Sequence, residues 1–168
     1  MITSIDVVSE QSDRAKYIVK AAFKYTDICC INESEAEAVT GVEITKDGVV
    51  SADMVFEAIE KIRKLGVSKW IVVHAPKCGY GYDCETGERF TVPSLNLPEG
   101  YIKGSTGAGD AYCSGILYGA HEDKTLEGAM KFARASAACS LSENNGTDGM
   151  RSADKVIALE KEFGELEL

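Results

Sequence analysis

Lys103-Gly-Ser-Thr-Gly-Ala-Gly-Asp-Ala-Tyr-Cys-Ser-Gly-Ile-Leu-Tyr-Gly119 decides how the chain reads. The small residues Gly107, Ala108 and Gly109 lead into a pattern in which Cys113, Ile116, Leu117 and Ala120 recur at helical spacing. A tight turn therefore opens a helix with one buried face. Gly115 and Gly119 stand four apart and predict close approach of a second element to the helix backbone. The helix mouth gathers backbone N–H groups, and its dipole adds about half a positive charge. Such a spot suits a phosphate or an oxyanion. Asp110, at the join, is a poor neighbour for a resting anion. It suits a base that takes a proton from a hydroxyl while the amides hold charge on a transferring phosphoryl group. The alternative is a plain helix start, with Asp favoured in the first turn by the same dipole.

Outward from this stretch, strands and helices alternate. Residues 2–8 read as a strand apolar on both faces, as in the middle of a parallel sheet. Ser12 or Asp13 caps a helix whose inner stripe is Ala15, Ile18, Val19, Ala22 and Phe23. Residues 28–31 form a second strand. Asn32-Glu-Ser-Glu-Ala-Glu-Ala-Val-Thr-Gly41 reads as a helix capped by Asn32, with Glu33, Glu35 and Glu37 at its positive end. Capping alone accounts for that segment, and Glu33 and Glu37 read as solvated. Residues 42–51 are a turn-rich link with Lys46-Asp-Gly48 at its tip. A helix over 53–65 turns Val55, Ile59 and Ile62 inward and stops at Gly66. Residues 70–74 are the third strand, and 80–84 with 88–92 a hairpin around Glu85-Thr-Gly87. A helix over 125–141 carries the stripe Leu126, Met130, Ala133, Ala137 and Leu141. A last helix begins at Ser152 or Asp154, and the tail Glu165–Leu168 offers no feature. The rhythm is that of an α/β sheet.

The chain has 168 residues, enough for one domain with a real core. Hydrophobic residues at 45% and charged residues at 27% are an ordinary globular balance. A net charge of −9 argues against nucleic-acid and membrane-surface partners, which favour basic faces. It also asks for a divalent cation beside any phosphate. No apolar run approaches a membrane span and the start lacks a signal-peptide pattern, so a cytoplasmic location is expected. The six cysteines include no Cys-x-x-Cys pair; Cys78 and Cys84 come closest to one. They read as reduced, mostly buried thiols rather than a zinc site.

Gly107-Ala-Gly-Asp110, followed by an aromatic and Gly115, resembles the second signature of the PfkB/ribokinase family of carbohydrate kinases, Asp-Thr-x-Gly-Ala-Gly-Asp. The resemblance implies a ribokinase-like three-layer α/β/α sandwich with a Rossmann-like, mostly parallel sheet, here in part. It implies ATP-dependent phosphorylation of a sugar or nucleoside hydroxyl. Gly107, Ala108 and Gly109 would be the anion hole, Asp110 the base, and Thr106 a cofactor-binding neighbour. Asn32 and Glu35 match the family's Asn-x-x-Glu motif, which organises Mg²⁺, water and the ATP phosphates. Relatives carry Thr-x-Gly-x-x-Gly where this chain has His74 to Gly79. Only Gly79 matches; His74 replaces the Thr, and Pro76 removes a backbone donor. A protonated His74 would donate to phosphate, whereas a neutral one reads as a locally bonded strand end. Lys77 is either a phosphate-facing cation or a surface lysine. Arg134 stands where relatives place an adenine-proximal Asn. Asn144 and Gly146 lie in the segment that resembles the loop closing over the nucleotide.

Gly104 stands where the signature has its first Asp, and Ser105 where it has Thr, which argues against a monovalent-cation site. The resemblance spans residues 1–168 as one domain, equivalent to the C-terminal, ATP-binding portion of a family member. The N-terminal Gly-Gly signature, the sugar-reading strands and the lid have no counterpart. This portion is expected to be inactive alone, and to form a homo-oligomer or take the missing half from a partner, because a cut sheet exposes a strand edge. The other reading is a non-catalytic nucleotide-binding or interaction module.

Overall fold

The computed structural model describes residues 1–7 and 13–168, with the side chains of residues 13–16 left undescribed. Two compact units result: residues 1–75 with 80–90, and residues 76–79 with 91–168. The expected strand end at Val8 and the cap at Ser12 fall outside the described residues, as do the side chains of Asp13 and Ala15.

The first unit contains β1 (Ser4–Ile5), α1 (Asp13–Phe23), β2 (Ile28–Asn32), α2 (Glu33–Thr40), β3 (Thr45–Lys46), β4 (Val49–Val50), α3 (Ala52–Lys64) and β5 (Trp70–His74). The hairpin strands β6 (Cys78–Asp83) and β7 (Arg89–Pro93) complete a five-stranded sheet ordered β1-β2-β5-β6-β7. β2 pairs in parallel with both β1 and β5, in a register that sets Ile28 opposite Trp70 and Asn32 opposite His74. Ile28 to Ile31 and Trp70 to Val73 are buried throughout, as parallel strands covered on both faces must be. The predicted bounds of the second and third strands hold to within a residue.

β1 is shorter than its sequence suggests. The Asp27 carboxylate takes the Thr3 amide at 2.8 Å, so the ladder to β2 starts only at Ser4. In α1, Val19 and Phe23 are buried as expected, but Ile18 is 60% exposed. The buried stripe runs through Val19 and Phe23, four apart, and Ile18 lies about 100° round the helix from Val19. The link after α2 is a two-stranded ribbon, β3 and β4, with Asp47 and Gly48 both at positive φ at the predicted tip. α3 buries Val55, Ile59 and Ile62 as predicted, with Ala58 added.

The second unit is built on α4 (Ala108–His121), α5 (Leu126–Leu141) and α6 (Ala153–Phe163). Gly115 and Gly119 let α5 press on α4. A Cβ at 115 would lie 2.5 Å from Ala133 Cα, and one at 119 would run into Ala129. Thr125 caps α5 by accepting from the Gly128 amide. Leu126, Met130 and Ala133 are buried as predicted, whereas Ala137 and Leu141 are only partly so. α5 has a second buried face: Ala135, Ala138 and Cys139 pack with Leu95, Val156 and Leu159.

Arg134, 6% exposed, donates to Glu160 at 3.1 Å, to Glu165 at 2.9 Å and to the Pro93 carbonyl at 2.8 Å. The tail is therefore structural: Glu165 also bridges Leu95, and the Leu166 amide donates to the Ser94 carbonyl. Five of the six cysteines are buried, and Cys84 is partly so.

Candidate active site

The mouth of α4 lies in the second unit. Thr106 and Gly107 form the turn, and Gly107 is the N-cap at φ 81 and ψ 0. That left-handed geometry costs a residue with a Cβ about 1–2 kcal/mol and glycine almost nothing. The helix then starts at Ala108, with the Ala111 amide donating to the Gly107 carbonyl at 2.8 Å. The first amides of a helix have no intrahelical acceptor. The Ala108 amide finds another, donating to the Ser105 carbonyl at 3.2 Å. Of the expected three-amide hole, Gly107 and Gly109 thus carry no such competing turn bond in the described contacts, and Ala108 does. Asp110 is exposed in the first helical turn.

The segment leaving α5 runs beside this turn. The Lys103 amide donates to the Leu141 carbonyl at 2.9 Å, and Ser140 Oγ reaches the Thr106 carbonyl at 3.5 Å. A Cβ at 107 would stand 2.5 Å from Gly146 Cα, and one at 104 about 3.1 Å from Asn144 Cα. Gly107 therefore lies against Gly146, and Gly104 against Asn144. The Gly104 contact also gives a reason for the missing Asp: a side chain there would push on the Asn144 backbone.

Gly79 has a packing role. A Cβ there would collide with the Tyr112 hydroxyl and sit 3.4 Å from Met130 Cε. Lys77 is exposed, and its carbonyl accepts from the Ser94 amide. The Arg134 guanidinium is committed to Glu160, Glu165 and Pro93, which ties down the C-terminal segment.

In the first unit, Asn32 and His74 sit side by side at the carboxyl ends of parallel strands, where α/β sheets bind ligands. Asn32 caps α2 in a reciprocal box. Its Oδ1 accepts from the Glu35 amide at 2.8 Å, and Glu35 Oε2 accepts from the Asn32 amide at 2.9 Å. Glu35 is buried. Burial pushes the His74 imidazole down to about 4, so it is neutral at pH 7 and the expected cationic donor is lost.

Glu33 and Glu37 are not the solvated residues the sequence suggested. Burial raises the Glu33 carboxyl above the usual range, helped by Glu37 and Glu35. Glu37 Oε1 accepts from the Ile44 and Thr45 amides at 2.8 and 2.6 Å. No group of three or more His, Cys, Asp or Glu side chains able to hold a metal occurs among the described residues. Among them, too, no helix is long and apolar enough to cross a membrane.

Sequence reasoning missed Tyr112, which makes Gly79 necessary, and Asn145, which shapes the loop carrying Gly146. The run Asn145-Gly-Thr-Asp148 carried a legible signal, since Asn readily bonds backbone amides two and three residues on.

The second unit thus has a glycine turn that opens a helix beside an exposed carboxylate. Residues 3–153 match the pfkB family carbohydrate kinase domain, and the chain belongs to that family. Over 89 residues it is 30% identical to the 5-dehydro-2-deoxygluconokinase of Listeria monocytogenes serovar 1/2a, a match covering 53% of this chain and 26% of that protein. Its fold is that of the ribokinases. The structure of Arabidopsis thaliana ribokinase with ribose and ATP superposes at a TM-score of 0.75 and 21% identity, covering 96% of this chain and 48% of that one. An E. coli protein described as ribokinase II, solved with ATP and Mg²⁺, gives 0.77 at 17% identity, covering 96% and 49%. The chain thus spans about half the length of these solved relatives, and the matched stretch covers about a quarter of the curated one.

Proposed function

We propose that residues 1–168 form the C-terminal, ATP-handling portion of a pfkB-type kinase that phosphorylates a hydroxyl of a sugar or nucleoside. The observation that carries this reading is the α4 mouth: a left-handed Gly107, first-turn amides beyond it, and an exposed Asp110 beside them. In the reaction the acceptor oxygen bonds to the γ-phosphorus, and the bond from that phosphorus to the β–γ bridging oxygen breaks. ADP leaves, and the hydroxyl proton passes to Asp110. The amides of Gly107 and Gly109, with the positive end of the helix dipole, hold the charge on the phosphoryl oxygens. The loop of Asn144 and Gly146 borders the same mouth and supplies a wall for the nucleotide.

Within the first unit, Asn32 and Glu35 would hold a hydrated Mg²⁺ through water, because Asn32 Oδ1 and Glu35 Oε2 are engaged in the capping box and Mg²⁺ ordinarily keeps several waters. This reading leaves the residues that recognise the acceptor outside residues 1–168. We place them on the remainder of a longer chain, on a second copy, or on a partner. The acceptor of the Listeria relative, 5-dehydro-2-deoxygluconate, heads the substrates to try.

The test is ATP consumption by the complete enzyme over a panel of sugars, sugar acids and nucleosides, with ³¹P detection of the phosphorylated product. Turnover with one class of acceptor supports the reading. ADP formation that ignores every acceptor contradicts it. A second reading, a nucleotide-binding module without catalysis, draws on Pro76, the neutral His74 and the Ala108 amide bonded to Ser105. Calorimetry would then find Mg-ATP binding with no phosphorylated product from any acceptor.

A further inference from the structure

One side chain holds the loop that leaves α5. Asn145 Oδ1 accepts from the Asp148 amide at 2.8 Å and the Thr147 amide at 3.1 Å, while its Nδ2 donates to Asp148 Oδ2 at 2.7 Å. These bonds close the segment 145–148 on itself. The next residue, Gly146, is the one that rests on the α4 mouth. A Cβ at 146 would meet Gly107 Cα at 3.2 Å and the Thr106 carbonyl at 3.5 Å. The reverse contact, from a Cβ at 107 to Gly146 Cα, would be 2.5 Å. The two backbones are in mutual contact with no side chain between them. A shift of Gly146 therefore passes directly to Gly107.

We infer that Asn145 is a positioning residue for the α4 mouth. It fixes the turn, the turn fixes Gly146, and Gly146 fixes Gly107 and the amides that follow. Asn145 does not touch the reacting atoms in this account. Its kinetic consequence rests on the reading of α4 as the phosphoryl-binding element; its structural consequence does not. Asp148 is the obligatory partner, because its carboxylate receives the Asn145 amide group.

The experiment compares four forms of the complete enzyme: wild type, Asn145→Ala, Asn145→Asp and the swap Asn145→Asp with Asp148→Asn. Two readouts are taken, kcat with saturating ATP and hydrogen–deuterium exchange of peptides over 103–110, with α5 peptides as the control. Asn145→Ala frees the turn. Asn145→Asp sets two carboxylates against each other. Both should speed exchange at 103–110, leave α5 and the thermal midpoint nearly unchanged, and lower kcat by about 10–100-fold. The swap restores the donor at 148 and the acceptor at 145, and should recover both readouts. Unchanged exchange at 103–110 in Asn145→Ala, or a swap that recovers nothing, overturns the inference. Asp110→Asn run in parallel separates the two levels: if it keeps full activity the kinase assignment of α4 fails, while the exchange data still decide the role of Asn145.

Discussion

Replacing Gly107 with Ala strains the α4 mouth in two separable ways. The backbone is left-handed, at φ 81, which costs Ala about 1–2 kcal/mol. The new Cβ would also stand 2.5 Å from Gly146 Cα, more than an ångström inside ordinary contact. Relieving such a clash costs about 1–3 kcal/mol. The sum is a loss of about 2–5 kcal/mol. Gly100 provides the control. Its φ is 77, and a Cβ there meets nothing within 4 Å, so Gly100→Ala carries only the backbone cost. Urea titrations of both variants, followed by circular dichroism, should place Gly107→Ala about 1–3 kcal/mol below Gly100→Ala. Equal stability of the two would refute the backbone-to-backbone contact between Gly107 and Gly146. The positioning argument for Asn145 would go with it.

Arg134→Ala should cost about 1–3 kcal/mol in the same titration, because it removes the donor to the Pro93 carbonyl and to the partly buried Glu160 and unties the tail at Glu165; a loss below about 1 kcal/mol, as for an exposed pair, would show that the cluster is a surface feature. Asn32→Ala removes the acceptor for the Glu35 amide and should lower stability by about 1 kcal/mol, while Asn32→Asp, which keeps it, should change little. His74 gives a pH signature. An unfolded imidazole takes its proton near 6.5 and the folded one only near 4, so the unfolded state binds the extra proton and stability falls as pH drops from about 6.5 towards 4. His74→Gln should flatten that part of the profile, and imidazole NMR resonances still titrating near 6.5 in the folded protein would contradict the assignment.

Local pattern was enough for much of the fold. β2 and β5 are continuous apolar runs bounded by polar residues, and a fully buried parallel strand has to read that way. The glycines at 115 and 119 could be read because a missing side chain has one obvious use on a helix face. What escaped depends on bonds between residues far apart in sequence. Asp27 takes the Thr3 amide ahead of β1, a bond that no periodicity shows. Glu37 looked solvated until its carboxylate was found on the Ile44 and Thr45 amides. Arg134 sat at a nucleotide-proximal position by alignment of motifs, yet its guanidinium is held by a tail with no pattern of its own. At the candidate site, the Asn145 turn could be read from its local sequence, but the contact of Gly146 with Gly107, far apart in the chain, could not.

The central claim is that the α4 amides hold a transferring phosphoryl group while Asp110 takes the acceptor's proton. It is tested most directly by Asp110→Asn in the complete enzyme, with turnover and Mg-ATP binding measured on the same preparation. The account predicts a kcat lower by about 10²–10⁴-fold, the contribution of one positioned base, with an unchanged dissociation constant for Mg-ATP. A variant that turns over at the wild-type rate would contradict it.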